Sequence, residues 1–151
     1  MTAATSEPVE ELLLSRYVAA RFRYTDTYTH LRLGQPRGYT LEKPAPDDIR
    51  QLMLSTLPEA DLVVRTPAGV TIYEFGIWRP QAKLGQLLVY QELLRATPGF
   101  MNVKEDDIHL VLVQPQEDPE IERIAAKYEV AYDVFPDPEV LQKIADRRGG
   151  R

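Results

Sequence analysis

Two acids and a short run of polar residues downstream are the part of this sequence that could do chemistry. Asp61 heads the apolar stretch Leu62-Val63-Val64, and Glu74 stands inside a second one with Ile72, Tyr73, Phe75 and Ile77. Thr66-Pro67-Ala68-Gly69 lies between them and reads as the turn of a β-hairpin. A carboxylate within an apolar strand is costly to bury unless it is paired or ligated. Two carboxylates on neighbouring strands suit Mg²⁺ or Mn²⁺, which prefer oxygen ligands. A cation held there would polarise a phosphodiester and lower the pKa of an attacking water. A lysine beside it would orient that water or offset developing charge. Residues i and i+2 of a strand share a face, so position 76 is expected to point where Glu74 points. It is Gly76, which offers no side chain. Beyond Pro80, Lys83, Gln86 and Tyr90 are spaced i, i+3, i+7 and fall on one face of a helix. Lys83 lies in the first turn, nearest the end of the Glu74 strand.

The elements that must position these residues follow from local pattern. Glu7 to Arg23 reads as a helix, with Ser6 as cap, Pro8 in the first turn and Glu10 and Glu11 at the positive end of the dipole. Tyr24 to Leu33 alternates as a strand does, and Gly34 to Pro46 reads as a loop. A short helix is expected over Ile49 to Leu57, stopped by Pro58. The hairpin strands are Ala60 to Arg65 and Val70 to Trp78. A helix runs from Gln81 to about Thr97 and ends at Pro98-Gly99. Ile108 to Val113 reads as a strand buried on both faces, Pro119 to Tyr128 as a helix, Val130 to Phe135 as a strand near an edge, and Pro138 to Arg147 as a last amphipathic helix. A hairpin meander followed by helical crossovers gives an α/β fold, a mixed sheet flanked by helices, over a single domain spanning 1–151.

Asp61, Glu74 and the segment Gln86-Leu87-Leu88-Val89-Tyr90 resemble the PD-(D/E)xK nuclease superfamily, in particular its RecB-like branch. That branch carries an aspartate on one strand, an acid-x-lysine on the next and a Gln-x-x-x-Tyr motif on a helix. The resemblance covers roughly residues 60–95. It implies a restriction-endonuclease-like fold, Asp61 and Glu74 as ligands of Mg or Mn if the site is active, and Gln86 and Tyr90 as residues facing nucleic acid. It implies a further acid on the first helix, for which Glu10 and Glu11 are the candidates. Gly76 departs from the pattern by replacing its lysine, and Ala60 stands where the branch has proline. Lys83 is the candidate for a relocated lysine.

Composition narrows the classes of function. The chain has 151 residues, 44% apolar and 27% charged, with no cysteine, so disulfides and thiolate metal sites are excluded. His30 and His109 are its two imidazoles, which argues against zinc. No apolar run approaches the roughly 20 residues of a membrane span, and Met1 to Glu11 lacks the pattern of a signal peptide. A cytoplasmic protein, or a virion component if phage-encoded, is expected. The net charge is −5, and residues 101–151 hold its excess, with twelve acids against seven bases. This balance argues against a general nucleic-acid coat, although Arg16, Arg21, Arg23, Arg32 and Arg37 could supply a local basic groove, with Arg16 and Arg23 the residues assigned to nucleic acid.

Three functions compete on these grounds. The missing lysine and acidic balance favour a catalytically degenerate nuclease-fold module, associated with DNA and acting through protein partners or self-assembly, for example in phage head completion or a neck. An active Mg/Mn-dependent DNA nuclease would use Asp61, Glu74 and Lys83. A nuclease inhibitor would use the acidic C-terminal third as a decoy. Plainer roles stand beside each residue: Asp61 as a strand-entry residue, Glu74 in a salt bridge to Lys83, Arg79 or Arg65, Gln86 and Tyr90 as helix-boundary residues, and Trp78-Arg79 as a contact surface. The separation of Lys83 from Glu74 decides between the first two.

Overall fold

A computed structural model of the chain describes residues 8–22, 26–35, 47 and 57–149. Its elements are helix α1 (Pro8–Arg21), strands β1 (Asp26–Arg32), β2 (Glu59–Thr66) and β3 (Gly69–Phe75), helix α2 (Pro80–Leu94), strand β4 (Ile108–Gln114), helix α3 (Pro119–Lys127), strand β5 (Ala131–Val134) and helix α4 (Pro138–Gly149). A one-turn 3₁₀ segment, Glu105–Asp107, leads into β4. The expected cap at Ser6, the expected helix over Ile49 to Leu57, Arg23 and Arg37 lie outside the described residues.

The sheet has five strands in sequence order, β1-β2-β3-β4-β5. The first three form an antiparallel meander, and β3, β4 and β5 run parallel. Parallel neighbours need a crossover, which α2 and α3 supply. The mixed sheet flanked by helices is therefore the observed α/β architecture.

Strand alternation sorts side chains into two layers. On one face Val63, Ile72, Leu110 and Leu112 pack with Leu84, Leu87, Tyr90 and Leu94 of α2 and with Ile121 and Ala125 of α3. On the other face Leu62, Val64, Phe75 and Val113 pack with Leu13, Leu14 and Tyr17 of α1 and with Val140 and Ile144 of α4. Asp61 shares the alternation of Val63, and Glu74 that of Ile72, so both acids belong to the α2 face. The hairpin tip depends on Gly69. Its φ is +139°, and a Cβ there would lie 2.3 Å from the carbonyl oxygen of Asp107.

Two boundaries differ from expectation in ways that matter. β3 ends at Phe75 rather than at Trp78, so Gly76 lies just past the strand, and a bend at Ile77 and Trp78 leads into α2. The start of α2 moves forward to Pro80, where proline's fixed φ and missing N–H suit a first helical position. Among the described residues no helix is long and apolar enough to cross a membrane.

Candidate active site

The ladder between β2 and β3 runs as far as Leu62↔Tyr73. One residue further, at Asp61 and Glu74, the side chains take over from the backbone. The Asp61 N–H donates to Glu74 Oε2 at 2.6 Å, and the Phe75 N–H donates to Asp61 Oδ2 at 3.0 Å. The two acids thus hold the strand ends together and are fixed by main-chain donors. Lys83 reaches them from the first turn of α2. Its ammonium donates to Asp61 Oδ2 at 3.1 Å and lies 3.5 Å from Glu74 Oε1. The separation that the sequence leaves open is therefore short.

Burial gives these contacts weight. Glu74 is 1% exposed. Burial, then the charge of Asp61, raises its pKa above the usual carboxylate range, against the pull of Lys83 and the Asp61 N–H. Burial works against the charge on Lys83, but Glu74, Asp61 and Glu10 outweigh it, so the lysine's pKa is raised and the side chain is an ammonium. The two shifts pull in opposite senses on Glu74: its own favours a proton, while that of Lys83 presupposes a carboxylate. The ammonium is supported by three acids, and burial is what raises Glu74 against the pull of that ammonium.

Glu10 of α1 joins from the opposite layer. Its Oε2 accepts the Ile77 N–H at 2.9 Å, and its charge is felt at Lys83. Glu11, the alternative first-helix acid, turns to the sheet edge instead and meets His30 Nε2 at 2.6 Å. His30 holds a left-handed φ of +54° within β1, between the Thr29↔Leu62 and Leu31↔Ala60 pairs.

Gly76 is more than an omission. A Cβ there would lie 3.1 Å from the Cα of Pro80 and 3.4 Å from both Pro80 Cβ and Leu112 Cδ1. The bend that closes this space also carries α2 over the acids and delivers Lys83. The helix-face residues separate in depth. Tyr90 is buried, its pKa raised to about 12 by burial and then by the charge of Glu74, whereas Gln86 is exposed. At about 100° per residue, Gln86 falls on the solvent side of Lys83 while Leu84 and Leu87 fall on the core side.

Arg16, expected to face nucleic acid, is committed elsewhere. Its guanidinium lies 3.4 Å from Asp137 and pairs with Glu139, tying α1 to α4. Opposite charge supplied from the far end of the chain takes up the arginine. Trp78 lies beneath the guanidinium groups of Arg147 and Arg148, 4.5 and 5.8 Å from its ring centre. His109 is exposed.

The donor set suits a hard divalent ion. Asp61 and Glu74 offer oxygen alone, and Asp61 Oδ1 takes no hydrogen bond among the described residues. Among these residues no trio of His, Cys, Asp and Glu gathers closely enough to hold a metal unaided. Mg²⁺ is commonly held by one or two carboxylates together with water and substrate phosphate, and two carboxylates fit that pattern.

No family model matches the chain, and no curated protein matches it. Among solved structures it is similar to a repair endonuclease from Pyrococcus abyssi, at 11% identity and a TM-score of 0.48 over 91% of this chain and 50% of that one. It is also similar to an EndoMS-dsDNA2 complex, at 15% identity and a TM-score of 0.46 over 91% and 48%. The chain thus spans about half the length of these structures, and likeness at such scores carries no functional argument.

Proposed function

We propose that this chain is a metal-dependent nuclease acting on DNA, with Lys83 in the role that a lysine at position 76 would otherwise fill. One observation carries the reading: the Lys83 ammonium sits within 3.5 Å of both acids. Asp61 and Glu74 are the residues that would hold Mg²⁺ or Mn²⁺, and the ion would supply Lewis acidity toward a phosphodiester. The chain's own residues do the rest. Main-chain N–H groups fix the two carboxylates, Lys83 is placed to donate to a negative phosphate oxygen or to hold a water in line, and the core beneath Tyr90 shelters the inner side from solvent. Gln86, exposed on the same helix, is available to the nucleic acid.

A second reading uses the same contacts. If the Lys83 ion pairs only close a relic site, the fold serves as a binding or assembly module, such as a head-completion component, and burial of Glu74 beside a cation is all that the cluster achieves. One experiment separates the two. End-labelled single- and double-stranded DNA is incubated with Mg²⁺ or Mn²⁺ and the wild type, Glu74→Ala or Lys83→Met. Cleavage by the wild type, reduced roughly 10²–10³-fold in each variant, supports the nuclease. Intact DNA after prolonged incubation with folded wild type overturns it and leaves the module.

A further inference from the structure

Gln114, the last residue of β4, is a buried polar side chain that the proposed chemistry does not use; it is 5% exposed. Its Nε2 donates to the carbonyl of Gly76 at 3.1 Å, and its Oε1 accepts from the Tyr132 hydroxyl at 2.5 Å. The hydroxyl in turn accepts the Asp118 N–H at 2.9 Å, with the Gln116 carbonyl a longer second acceptor at 3.3 Å. Because the Gly76 carbonyl can only accept, the amide must turn its Nε2 to Gly76, which leaves Oε1 to accept from the Tyr132 hydroxyl. The main chain at both ends of this relay is also pinned. The Gly76 N–H donates to Val113 O at 3.0 Å, and the Phe135 N–H to Gln114 O at 2.8 Å.

We infer that Gln114, oriented by Tyr132, is a positioning residue for Lys83, acting through the carbonyl of Gly76; this rests on the nuclease reading above. Gly76 lies just past the end of β3, and its bare Cα packs against Pro80, the first residue of α2. Wherever Gly76 is held, the helix begins. Lys83 follows in the first turn, its N–H on the Arg79 carbonyl at 3.3 Å. Among the described residues the Gln114 side chain hydrogen-bonds to Gly76 and Tyr132, and not to Asp61, Glu74 or Lys83. The relay therefore touches the site only by setting the path of the chain into α2. Where a lysine on the strand would be aimed by the strand itself, a lysine on the helix has to be aimed by whatever fixes the helix start.

The test uses Gln114→Leu, which keeps bulk but loses both hydrogen bonds, Gln114→Glu, which keeps the acceptor for Tyr132 but loses the donor to Gly76, and Tyr132→Phe, which leaves the Gly76 contact in place. Each is checked for a cooperative thermal transition, then assayed for kcat and KM on DNA with Mn²⁺. In parallel, the Lys83 side-chain ammonium is observed by ¹⁵N NMR, where only an ammonium sheltered by its partners gives a sharp signal. The expected result is a kcat lowered on the order of 10–100-fold in both Gln114 variants, as small misplacements produce, with KM nearly unchanged, a few-fold loss in Tyr132→Phe, and loss of the Lys83 signal in the Gln114 variants. Full kcat in folded Gln114→Leu or Gln114→Glu overturns the inference and leaves the nuclease standing. If the wild type cleaves nothing, the nuclease fails, and the NMR signal decides the inference: loss in the Gln114 variants supports it and persistence overturns it. Should Gln114→Leu not fold, the same outcomes are read from Gln114→Glu.

Discussion

The two faces of the sheet each carry a cluster of charged and polar side chains. On the α1–α4 face, Tyr17 donates to Asp133 at 2.6 Å, Arg21 lies 3.5 Å from the same carboxylate, and Arg16 is shared by Asp137 and Glu139. Asp137 also accepts the N–H groups of Glu139 and Val140, capping α4. Aromatic rings of Phe22, Tyr73, Phe75 and Phe135 surround Tyr17. Three acids meet two arginines there, and much of the cluster reaches solvent. On the α2 face, Asp61 and Glu74, with Glu10 nearby, meet one lysine, and Glu74 is fully buried. Surface pairs of the first kind contribute little, whereas an under-compensated buried carboxylate persists only where something repays its burial. The first cluster is built as a structural network, and the second is the one on which the proposed chemistry rests.

The largest expected effect breaks the comparison at its centre. Lys83→Met should remove cleavage roughly 10²–10³-fold, while the equivalent loss at Arg21, Arg21→Met, leaves kcat within about twofold when both are assayed on the same labelled DNA. Next comes position 76. Gly76→Lys drives a side chain into Pro80 and should destabilise by about 1–3 kcal/mol, the range of overpacking. In a Lys83→Met background it should not restore cleavage, and denaturant melts with activity assays check both points. Tyr17→Phe removes one hydrogen bond to Asp133 and should cost about 1 kcal/mol with no change in metal-dependent cleavage. The smallest effect is expected at Arg16→Ala, within about 1 kcal/mol and without change in DNA affinity, contrary to the role that its sequence position suggests.

Acidity sharpens the same contrast. Glu74 holds its proton more tightly in the folded chain than in the unfolded one, whose carboxyl has the ordinary value of 4.5. Its contribution is fully present below that value and is lost as the pH rises through the raised folded value, because the unfolded chain there has released a proton that the folded chain keeps. The thermal midpoint of the wild type, measured against Glu74→Gln, should therefore be highest in acid and decline as the pH rises. A difference that does not change with pH would place Glu74 in an ordinary exposed environment.

Much of the α2-face cluster was legible in the sequence because its signals are local. An acid inside an apolar run, a hairpin turn and a lysine one helical turn past a proline are all read within about twenty residues. Choosing Glu10 over Glu11 needed the rotational phase of α1 about the sheet, which neighbouring residues of one helix do not reveal. The acidic partners of Arg16 were not foreseen because they lie 121 and 123 positions away, where charge patterning along the chain cannot see them. Gln114 gave no signal, since a glutamine closing a buried strand has many ordinary explanations, and its role appears only once Gly76 and Tyr132 are brought to either side of it. The strand end at Phe75 was missed because Gly76-Ile77-Trp78 continues an apolar pattern, while the backbone bends at Ile77 and Trp78.

The contact between Gly76 and Pro80 has a consequence for how this sequence can drift. A lysine at 76 and a lysine at 83 are not interchangeable without adjustment, because a Cβ at 76 would lie 3.1 Å from the Pro80 Cα and the helix start would have to give way. Making room for a side chain at 76 would require the helix start to retreat, and that would draw Lys83 away from the acids. Descendants of this chain should accordingly hold glycine at 76 for as long as proline opens the helix, and should lose or keep the two together.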